Sequence, residues 1–277
     1  MARPLVSTRW ADAGLLEAAG QRLEYGRLGP APAEAPTVVL LHEGLGSRDL
    51  WRDFPERLSA ATGWGVCAYS RAGYGGSELA ALPRPVDYMT CEARIVLPEV
   101  LQAIGFERGV LMGHSDGATI AAIYAGTVED PRLRGLVTIA PHFFTEAIGL
   151  REIARAKQAF DSGDLRSRLA RHHHDPNNCF RGWNDAWLHP EFTDWNVSEA
   201  LDGIGVPVLA IQGAEDQYGT LAQIDEIERR CSAPVERVVL PGCGHDPCFE
   251  RAEQVLRELS RFCADMDQVP ARPGAAS

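Results

Sequence analysis

The sequence has no uninterrupted apolar run that approaches the roughly 18 residues a membrane-spanning helix requires. Residues 1–14 also lack the apolar stretch of about 7–15 residues that marks a signal peptide. The 38 acidic residues outnumber the 27 Lys and Arg residues, so the formal net charge is −11. This charge argues against nucleic acid or an anionic membrane as a partner, because both require clustered Lys and Arg. The seven cysteines are scattered through 277 residues, and reduced thiols are their simplest interpretation. These absences predict a cytoplasmic protein, monomeric or homodimeric, that binds a small molecule.

Short apolar segments alternate with longer mixed segments from Thr37 onward. The apolar segments are continuous and rich in β-branched residues, which is typical of strands buried on both faces. Strands that alternate with helices indicate a parallel sheet with right-handed crossovers. An antiparallel hairpin at residues 14–28 is expected at the sheet edge. The predicted strands are 37–42, 65–70, 109–113, 133–140, 206–213 and 235–242, and the predicted helices lie near 50–62, 86–105, 117–127, 219–231 and 249–263.

One interval is much longer than a single crossover needs. About 65 residues separate the strand ending at Ala140 from the strand opening at Val206, and they include three of the six tryptophans. A helical cap over the carboxyl edge of the sheet is the economical explanation, with most of its aromatic side chains in the cap's own core. The predicted division is therefore a core of 1–141 and 206–265, a cap of 142–205, and a disordered tail of 266–277.

The segment "VLMGHSDGATIAA", residues 110–122, places Ser115 between two glycines. The apolar residues before it are strand-like, and the small residues after it are typical of a buried helix. Gly113 and Gly117 leave the space that a sharp strand-to-helix turn needs around a serine in an unfavourable backbone conformation. Such a short motif also arises by chance. A nucleophile at Ser115 therefore requires a base, an acid and an oxyanion site elsewhere in the chain.

Two further residues follow predicted strands. Asp216 lies three residues after Gly213, and His245 lies in a glycine-rich loop between the last strand and the last helix. Ligands of open parallel sheets bind beyond the carboxyl ends of the strands, so both are candidates for one site. The chain order Ser115, Asp216, His245 is that of nucleophile, acid and base in hydrolases of this sheet type.

The chain resembles the α/β-hydrolase superfamily over residues 14–265. The motifs that carry the resemblance are "LLHEGLGS" (40–47), "YSRAGYGGS" (69–77), "GHSDG" (113–117), "GAEDQYG" (213–219) and "GCGHDP" (242–247). The resemblance implies an α/β-hydrolase fold with a helical cap after strand 6 and no cofactor. It also implies that Ser115 attacks a carbonyl, that His245 transfers the proton, and that Asp216 orients the histidine. The backbone N–H groups of Gly44 and Asp116 would bind the oxyanion.

Residues 40–47 match the oxyanion loop of the superfamily. Most relatives have glycine after the histidine of this loop, whereas this chain has Glu43. One interpretation is that its side chain bonds a loop amide or Arg71. The other is that it faces the substrate. With Asp116 and Asp246 it would then give the entrance of the substrate pocket a negative electrostatic potential that favours neutral or cationic substrates. Arg71 or Arg181 would reverse that preference as a carboxylate clamp. Residues expected around the substrate are Glu43, His42, Arg71, His142, Phe143, Trp183 and Trp187, with His42 also a candidate brace for the loop.

Three other groups of residues are not expected to form a site of their own. The histidines of "RHHHD" (171–175) cannot all converge on one ion, so a solvated cap surface is expected there and no metal. Zinc between Cys243 and Cys248 would consume the base that Ser115 needs, so both cysteines are interpreted as packing residues. Asp116 is not expected to be the nucleophile, because aspartate nucleophiles occupy the centre of the motif.

The leading prediction is a serine hydrolase of carboxylic esters or lactones. The cap suggests a bulky substrate, for example a basic macrolide, which would also suit an acidic mouth. Relatives with the same three residues hydrolyse carbon–carbon bonds of aromatic ring-cleavage products, and an enol-lactonase belongs to the same alternative. A non-catalytic binding module is disfavoured, because such proteins usually lose one of the three residues.

Overall fold

A computed structural model describes residues 9–267 of the chain. It contains an eight-stranded sheet in the order β1-β2-β4-β3-β5-β6-β7-β8, in which β1 to β2 and β2 to β4 are antiparallel and all other pairs are parallel. The predicted α/β-hydrolase fold is confirmed. The strands are β1 (Asp12–Ala18), β2 (Gln21–Leu28), β3 (Thr37–Leu41), β4 (Gly65–Tyr69), β5 (Gly109–His114), β6 (Leu133–Ile139), β7 (Val208–Gly213) and β8 (Val235–Leu240).

Helices cover both faces of this sheet. They are α1 (Phe54–Thr62), α2 (Tyr88–Cys91), α3 (Leu97–Ala103), α4 (Asp116–Thr127), α5 (Ala147–Ser162), α6 (Leu165–Leu169), α7 (Pro176–Trp187), α8 (Ala222–Arg230), α9 (Pro247–Glu250) and α10 (Ala252–Asp267). A π-helical turn (Glu92–Val96) joins α2 to α3, and 3₁₀ turns occupy Arg48–Trp51, Pro190–Asp194 and Ser198–Gly203. No helix within residues 9–267 is both long and apolar enough to cross a membrane.

The central strands explain the continuous apolar runs of the sequence. Val39 and Leu41 of β3 pack into one core, whereas Val38 and Leu40 of the same strand pack into the core on the opposite face. Successive side chains of a strand point to opposite faces, so a strand covered on both faces needs apolar residues at every position.

The segment predicted as a cap lies between β6 and β7. It contains helices α5 to α7. Two backbone hydrogen bonds join its start to its end: Val197 N–H donates to Phe143 O at 2.8 Å, and Thr145 N–H donates to Trp195 O at 3.0 Å. Most cap aromatics pack on one another, as predicted. Phe160 stacks on Phe180 with ring centroids 3.9 Å apart.

The expected tail falls mostly outside the described residues, which end at 267. Helix α10 continues to that point, and Met266 packs against the core instead of belonging to the tail. The helical core therefore extends two residues beyond the predicted boundary.

Candidate active site

Ser115 occupies the turn between β5 and α4. Its backbone has φ 53° and ψ −118°, a conformation that costs a non-glycine residue free energy. A Cβ at Gly113 would lie 2.1 Å from Gly117 O, and a Cβ at Gly117 would lie 2.1 Å from Leu41 O. Only glycine fits at these two positions, as the sequence predicted, and the close approach fixes the turn.

Ser115, His245 and Asp216 form one hydrogen-bonded chain. The Ser115 hydroxyl lies 3.0 Å from His245 Nε2, to which it can donate. His245 Nδ1–H donates to both carboxylate oxygens of Asp216, at 2.9 Å and 2.8 Å. The structure thus brings together the three side chains that the sequence singled out, although they are 29 to 130 residues apart.

The loop after β7 holds Asp216 in its charged form. Tyr218 N–H donates to Asp216 Oδ1 at 2.7 Å, and Gln212 Nε2 donates to Oδ2 at 2.8 Å. Burial opposes the negative charge of Asp216, but its hydrogen bonds and its electrostatic interaction with the His245 ring outweigh burial, so the pKa of Asp216 is lowered. A carboxylate at this position fixes the proton of His245 on Nδ1 and leaves Nε2 free to accept.

A second histidine holds the main chain of His245. His114 Nε2–H donates to His245 O at 2.7 Å, and His114 Nδ1 lies 4.0 Å from Glu43 Oε2. The His114 ring is also tilted against the His245 ring, with centroids 5.2 Å apart. The sequence analysis missed His114, although its position beside Ser115 at the end of β5 pointed toward the site.

The two expected oxyanion donors lie beside Ser115. Strands β3 and β5 pair in parallel with Leu41 opposite Gly113, so the loop after β3 meets the turn after β5. Gly44 and Asp116 both line the cleft above Ser115. The Asp116 N–H belongs to the first turn of α4, where no intrahelical carbonyl can accept it.

Arg71 and His42 brace the oxyanion loop from behind. The Arg71 guanidinium donates to His42 O at 2.6 Å and to Glu43 O at 3.0 Å. The Arg71 backbone N–H in turn donates to His42 Nε2 at 3.1 Å. Burial and the Arg71 charge hold the pKa of His42 well below its usual value, so the ring is neutral and able to accept.

A cleft of about 100 Å³ opens above Ser115. Its lining residues are Glu43, Gly44, Leu45, Ser115, Asp116, His142, Gly149, Ile153, Trp183, Trp187, Tyr218 and His245. The sequence analysis missed Leu45, Gly149, Ile153 and Tyr218; Tyr218 follows Asp216 by two residues and could have been found, whereas Gly149 and Ile153 are placed only by the packing of α5.

Three residues expected around the substrate do not line this cleft. Arg71 and His42 are each only 1% exposed, because their polar atoms bond the main chain of the oxyanion loop. Phe143 is fully buried under the cap, where its carbonyl accepts from Val197. The clamp role expected for Arg71 is therefore wrong. Arg181 does not line the cleft either, since its guanidinium pairs with Asp161 at 2.7 Å on the cap surface.

Glu43 lies between two cavities. It lines the cleft and also a neighbouring cavity of about 50 Å³ near α1 and α9, which Asp246 lines as well. Arg71 bonds the carbonyl of Glu43 and not its carboxylate. Burial, partly offset by His114, raises the pKa of the Glu43 carboxyl. Glu43 thus lines the cleft and lies beside His114, its carboxylate has no bond to Arg71, and the two interpretations of its role stay predictions.

The Asp116 side chain ties the cap to the nucleophile turn. It is 1% exposed, and it accepts from the Tyr88 hydroxyl and from Trp187 Nε1 at 3.3 Å. Trp187 Nε1 also lies 3.1 Å from the Tyr88 hydroxyl. Burial raises the pKa of Asp116, while Arg71 and these hydrogen bonds oppose the rise. This cluster joins α2, α4 and α7, which no local sequence pattern could predict.

One histidine of residues 171–175, His173, is not on the solvated surface that was expected. His173 is 4% exposed: its Nδ1 accepts from Gly75 N–H at 2.9 Å, and its Nε2–H donates to Leu45 O at 3.0 Å. It therefore connects the cap to the oxyanion loop. Among residues 9–267, no three His, Cys, Asp or Glu side chains are grouped as a metal site requires. Cys243 is buried in the core and Cys248 packs against it.

Residues 38–258 match the model of the alpha/beta hydrolase family. The chain belongs to this family. It is similar to the bifunctional esterase/perhydrolase DCH of Acinetobacter calcoaceticus, with 25% identity over 83% of this chain and 92% of the relative.

Solved structures of the same fold carry several hydrolase activities. The enol-lactonase from Burkholderia xenovorans LB400 matches with a TM-score of 0.71 and 19% identity, over 91% of this chain and all of that one. The meta-cleavage product hydrolase from Pseudomonas fluorescens IP01 matches with a TM-score of 0.65 and 17% identity, over 91% of this chain and 97% of that one. At these identities the likeness concerns the fold alone, so the choice of substrate rests on the site itself.

Proposed function

We propose that this alpha/beta hydrolase is a cofactor-independent serine hydrolase of carboxylic esters or lactones. The observation that carries the proposal is the hydrogen-bonded chain from Ser115 through His245 to Asp216, which begins on a strained turn and faces a cleft. In this arrangement a hydroxyl becomes a nucleophile without a metal, because the imidazole accepts its proton and the carboxylate stabilises the imidazolium.

The first half-reaction forms an acyl-enzyme. Ser115 Oγ attacks the substrate carbonyl carbon while its proton moves to His245 Nε2. The negative charge that develops on the carbonyl oxygen is bound by the N–H groups of Gly44 and Asp116, and each such donor is typically worth about 3 kcal/mol. The intermediate then collapses, the C–O bond breaks, and His245 returns the proton to the departing alkoxide.

The second half-reaction releases the acid. Water enters the cleft, gives a proton to His245 Nε2 and attacks the acyl carbon. The second tetrahedral intermediate expels Ser115 Oγ, which takes the proton back from His245. A lactone follows the same steps but leaves as one hydroxy acid, because its alcohol and acyl groups are parts of one molecule.

The charges of the cleft favour a neutral or cationic substrate. Glu43 lines it, whereas no Lys or Arg among residues 9–267 does so, and the Asp116 carboxylate is bonded to Tyr88 and Trp187. Carboxylate substrates would enter a site with no cation to pair with, at a cost in desolvation. Trp183, Trp187, Leu45 and Ile153 supply apolar surface for a bulky group. A large ester or macrolactone, such as a basic macrolide, would place one side of its scissile bond in the cleft.

The cap, the cell compartment and the assembly state complete the proposal. We assign 142–205 as a lid over the site, and a cytoplasmic monomer or homodimer as the working form. Seven free thiols support a reducing compartment.

A second candidate keeps the three residues but changes the bond. It would be carbon–carbon bond hydrolysis or enol-lactone hydrolysis, the activities for which the two structural neighbours of the same fold are named. The substrates of aromatic ring cleavage are anionic dienoates, however, and the observed lining of the cleft offers them no guanidinium. A non-catalytic binding role is disfavoured, because all three residues are present and hydrogen-bonded.

A substrate panel tests the choice. The purified protein is assayed with neutral p-nitrophenyl esters, with esters that carry a quaternary amine, with lactones of increasing ring size, and with a ring-cleavage dienoate followed by its ultraviolet absorbance. Turnover of neutral or cationic esters and lactones well above that of the dienoate is expected. A kcat/KM for the dienoate that exceeds all ester values would replace the proposal with the carbon–carbon alternative.

A further inference from the structure

His142 is held over the cleft by its main chain. It follows β6 after the strained residue Ala140, which has φ 48°. Thr119 of α4 bonds both of its backbone groups: the hydroxyl donates to His142 O at 2.7 Å and accepts from His142 N–H at 3.2 Å. Because α4 also carries Ser115 at its start, His142 has a fixed position relative to the nucleophile.

The His142 ring lines the cleft and has no hydrogen-bond partner. The residue is only 5% exposed, and its ring lies edge-on to Trp187 at 5.3 Å and tilted to His245 at 5.6 Å between centroids. A Cβ added at Gly219 would lie 3.3 Å from its Nδ1, so one edge of the ring is closely packed. No side chain or backbone group of residues 9–267 bonds either ring nitrogen. A ring nitrogen that faces a cleft without a protein partner can bond a ligand instead.

The proposed hydrolysis does not use this imidazole. The chain of Ser115, His245 and Asp216 is complete without it. Burial, with the nearby His245 adding to the effect, lowers the pKa of His142 to about 3. The ring is therefore neutral at ordinary pH, and it presents one N–H donor and one lone pair.

We propose that His142 is a specificity-determining residue that binds a neutral hydroxyl group of the substrate, close to the scissile ester or lactone. This inference rests on the proposed function and narrows its substrate class. A neutral imidazole offers no charge to hold a carboxylate, and the acidic residue Glu43 lines the same cleft. A hydroxyl can donate or accept, so it fits either tautomer of the ring.

The test compares two pairs of esters that differ by one hydroxyl. One pair is p-nitrophenyl butanoate and its β-hydroxy derivative, with the hydroxyl on the acyl side. The other pair is propyl butanoate and glycol monobutanoate, with the hydroxyl on the alcohol side. Wild type is compared with His142→Phe, which keeps a ring against Trp187 but has no nitrogen, and with His142→Asn, which keeps a polar atom. His142→Leu replaces the Phe variant if that variant does not fold, and Ser115 labelling by a fluorophosphonate reports an intact site.

In at least one pair, the wild-type preference for the hydroxylated ester should exceed that of His142→Phe by about three- to tenfold, the range of one neutral hydrogen bond. The difference should appear mainly in KM, because the bond forms in the ground state as well as in the transition state. His142→Asn should recover part of it. Equal preferences in wild type and His142→Phe for both pairs, with turnover intact, would overturn the inference alone. If the wild-type protein hydrolyses none of the four esters, the proposed function and the inference are overturned together.

Discussion

Acidification should destabilise the protein through His173, the cap residue that bonds the oxyanion loop. Its ring is 4% exposed, with Nδ1 accepting from Gly75 N–H and Nε2–H donating to Leu45 O. Protonation of Nδ1 would place a second N–H against the Gly75 N–H and a charge in a buried site. Burial accordingly lowers the pKa of His173 to about 4.

The magnitude follows from the difference between the folded and unfolded states. The unfolded chain has a histidine pKa of about 6.5, so below that pH the unfolded state binds the proton before the folded state does. Full stability is present above pH 6.5, and about 1.4 kcal/mol is lost for each pH unit from there down to the folded-state pKa. Between pH 7 and pH 5 the single group His173 should cost about 2 kcal/mol of the free energy of unfolding.

Urea unfolding at pH 7 and at pH 5, followed by tryptophan fluorescence, measures this loss. His173→Gln keeps an amide that can bond the same two backbone groups but cannot titrate. Its free energy of unfolding should fall by about 2 kcal/mol less than that of wild type over this interval. His174→Gln is the matched control, because the neighbouring side chain is exposed. The reasoning is refuted if His173→Gln and wild type lose the same free energy between the two pH values.

Three further predictions concern the charge of the cleft, the cap contact and metals. Glu43→Gln should raise KM for a cationic ester at low salt and leave KM for a matched neutral ester nearly unchanged, since Glu43 lines the cleft. Equal losses in kcat on both esters would instead identify Glu43 as a brace for the oxyanion loop. Trp187→Phe should lower the melting temperature by several degrees, because Asp116 and Tyr88 lose the indole N–H as a buried donor at a cost of about 1–3 kcal/mol; an unchanged melting temperature would show that this donor contributes nothing. EDTA should leave ester turnover unchanged, and a loss that zinc restores would contradict a mechanism that relies on Ser115, His245 and Asp216 alone.

The sequence was most informative where a property belongs to a short segment. Strands β3 and β5 are buried at every position and mostly apolar because the sheet is covered on both faces, and this could be predicted without knowing the partners. The same holds for the turn at Ser115, where steric contact alone demands Gly113 and Gly117. Asp216 and His245 could be placed because both follow strands whose carboxyl ends share one edge.

Side-chain direction was the point at which sequence reasoning failed. Arg71 lies in a loop at the same edge, yet its guanidinium turns inward to bond two backbone carbonyls of the oxyanion loop. His173 was expected on a solvated surface because three consecutive histidines cannot converge on one ion, but its contacts are 98 and 128 residues away. Such choices depend on which distant backbone group needs a partner, and no spacing along the chain reports that need.

The central claim is that Ser115 is the nucleophile, activated by His245 and Asp216. Reaction with a fluorophosphonate, followed by mass spectrometry of the intact protein and its peptides, tests it most directly. We expect one adduct per chain, on Ser115, with none in Ser115→Ala, much slower labelling in His245→Ala, and loss of nearly all turnover in both variants. An adduct on another residue, or a Ser115→Ala variant that keeps more than a few per cent of wild-type turnover, would contradict the account.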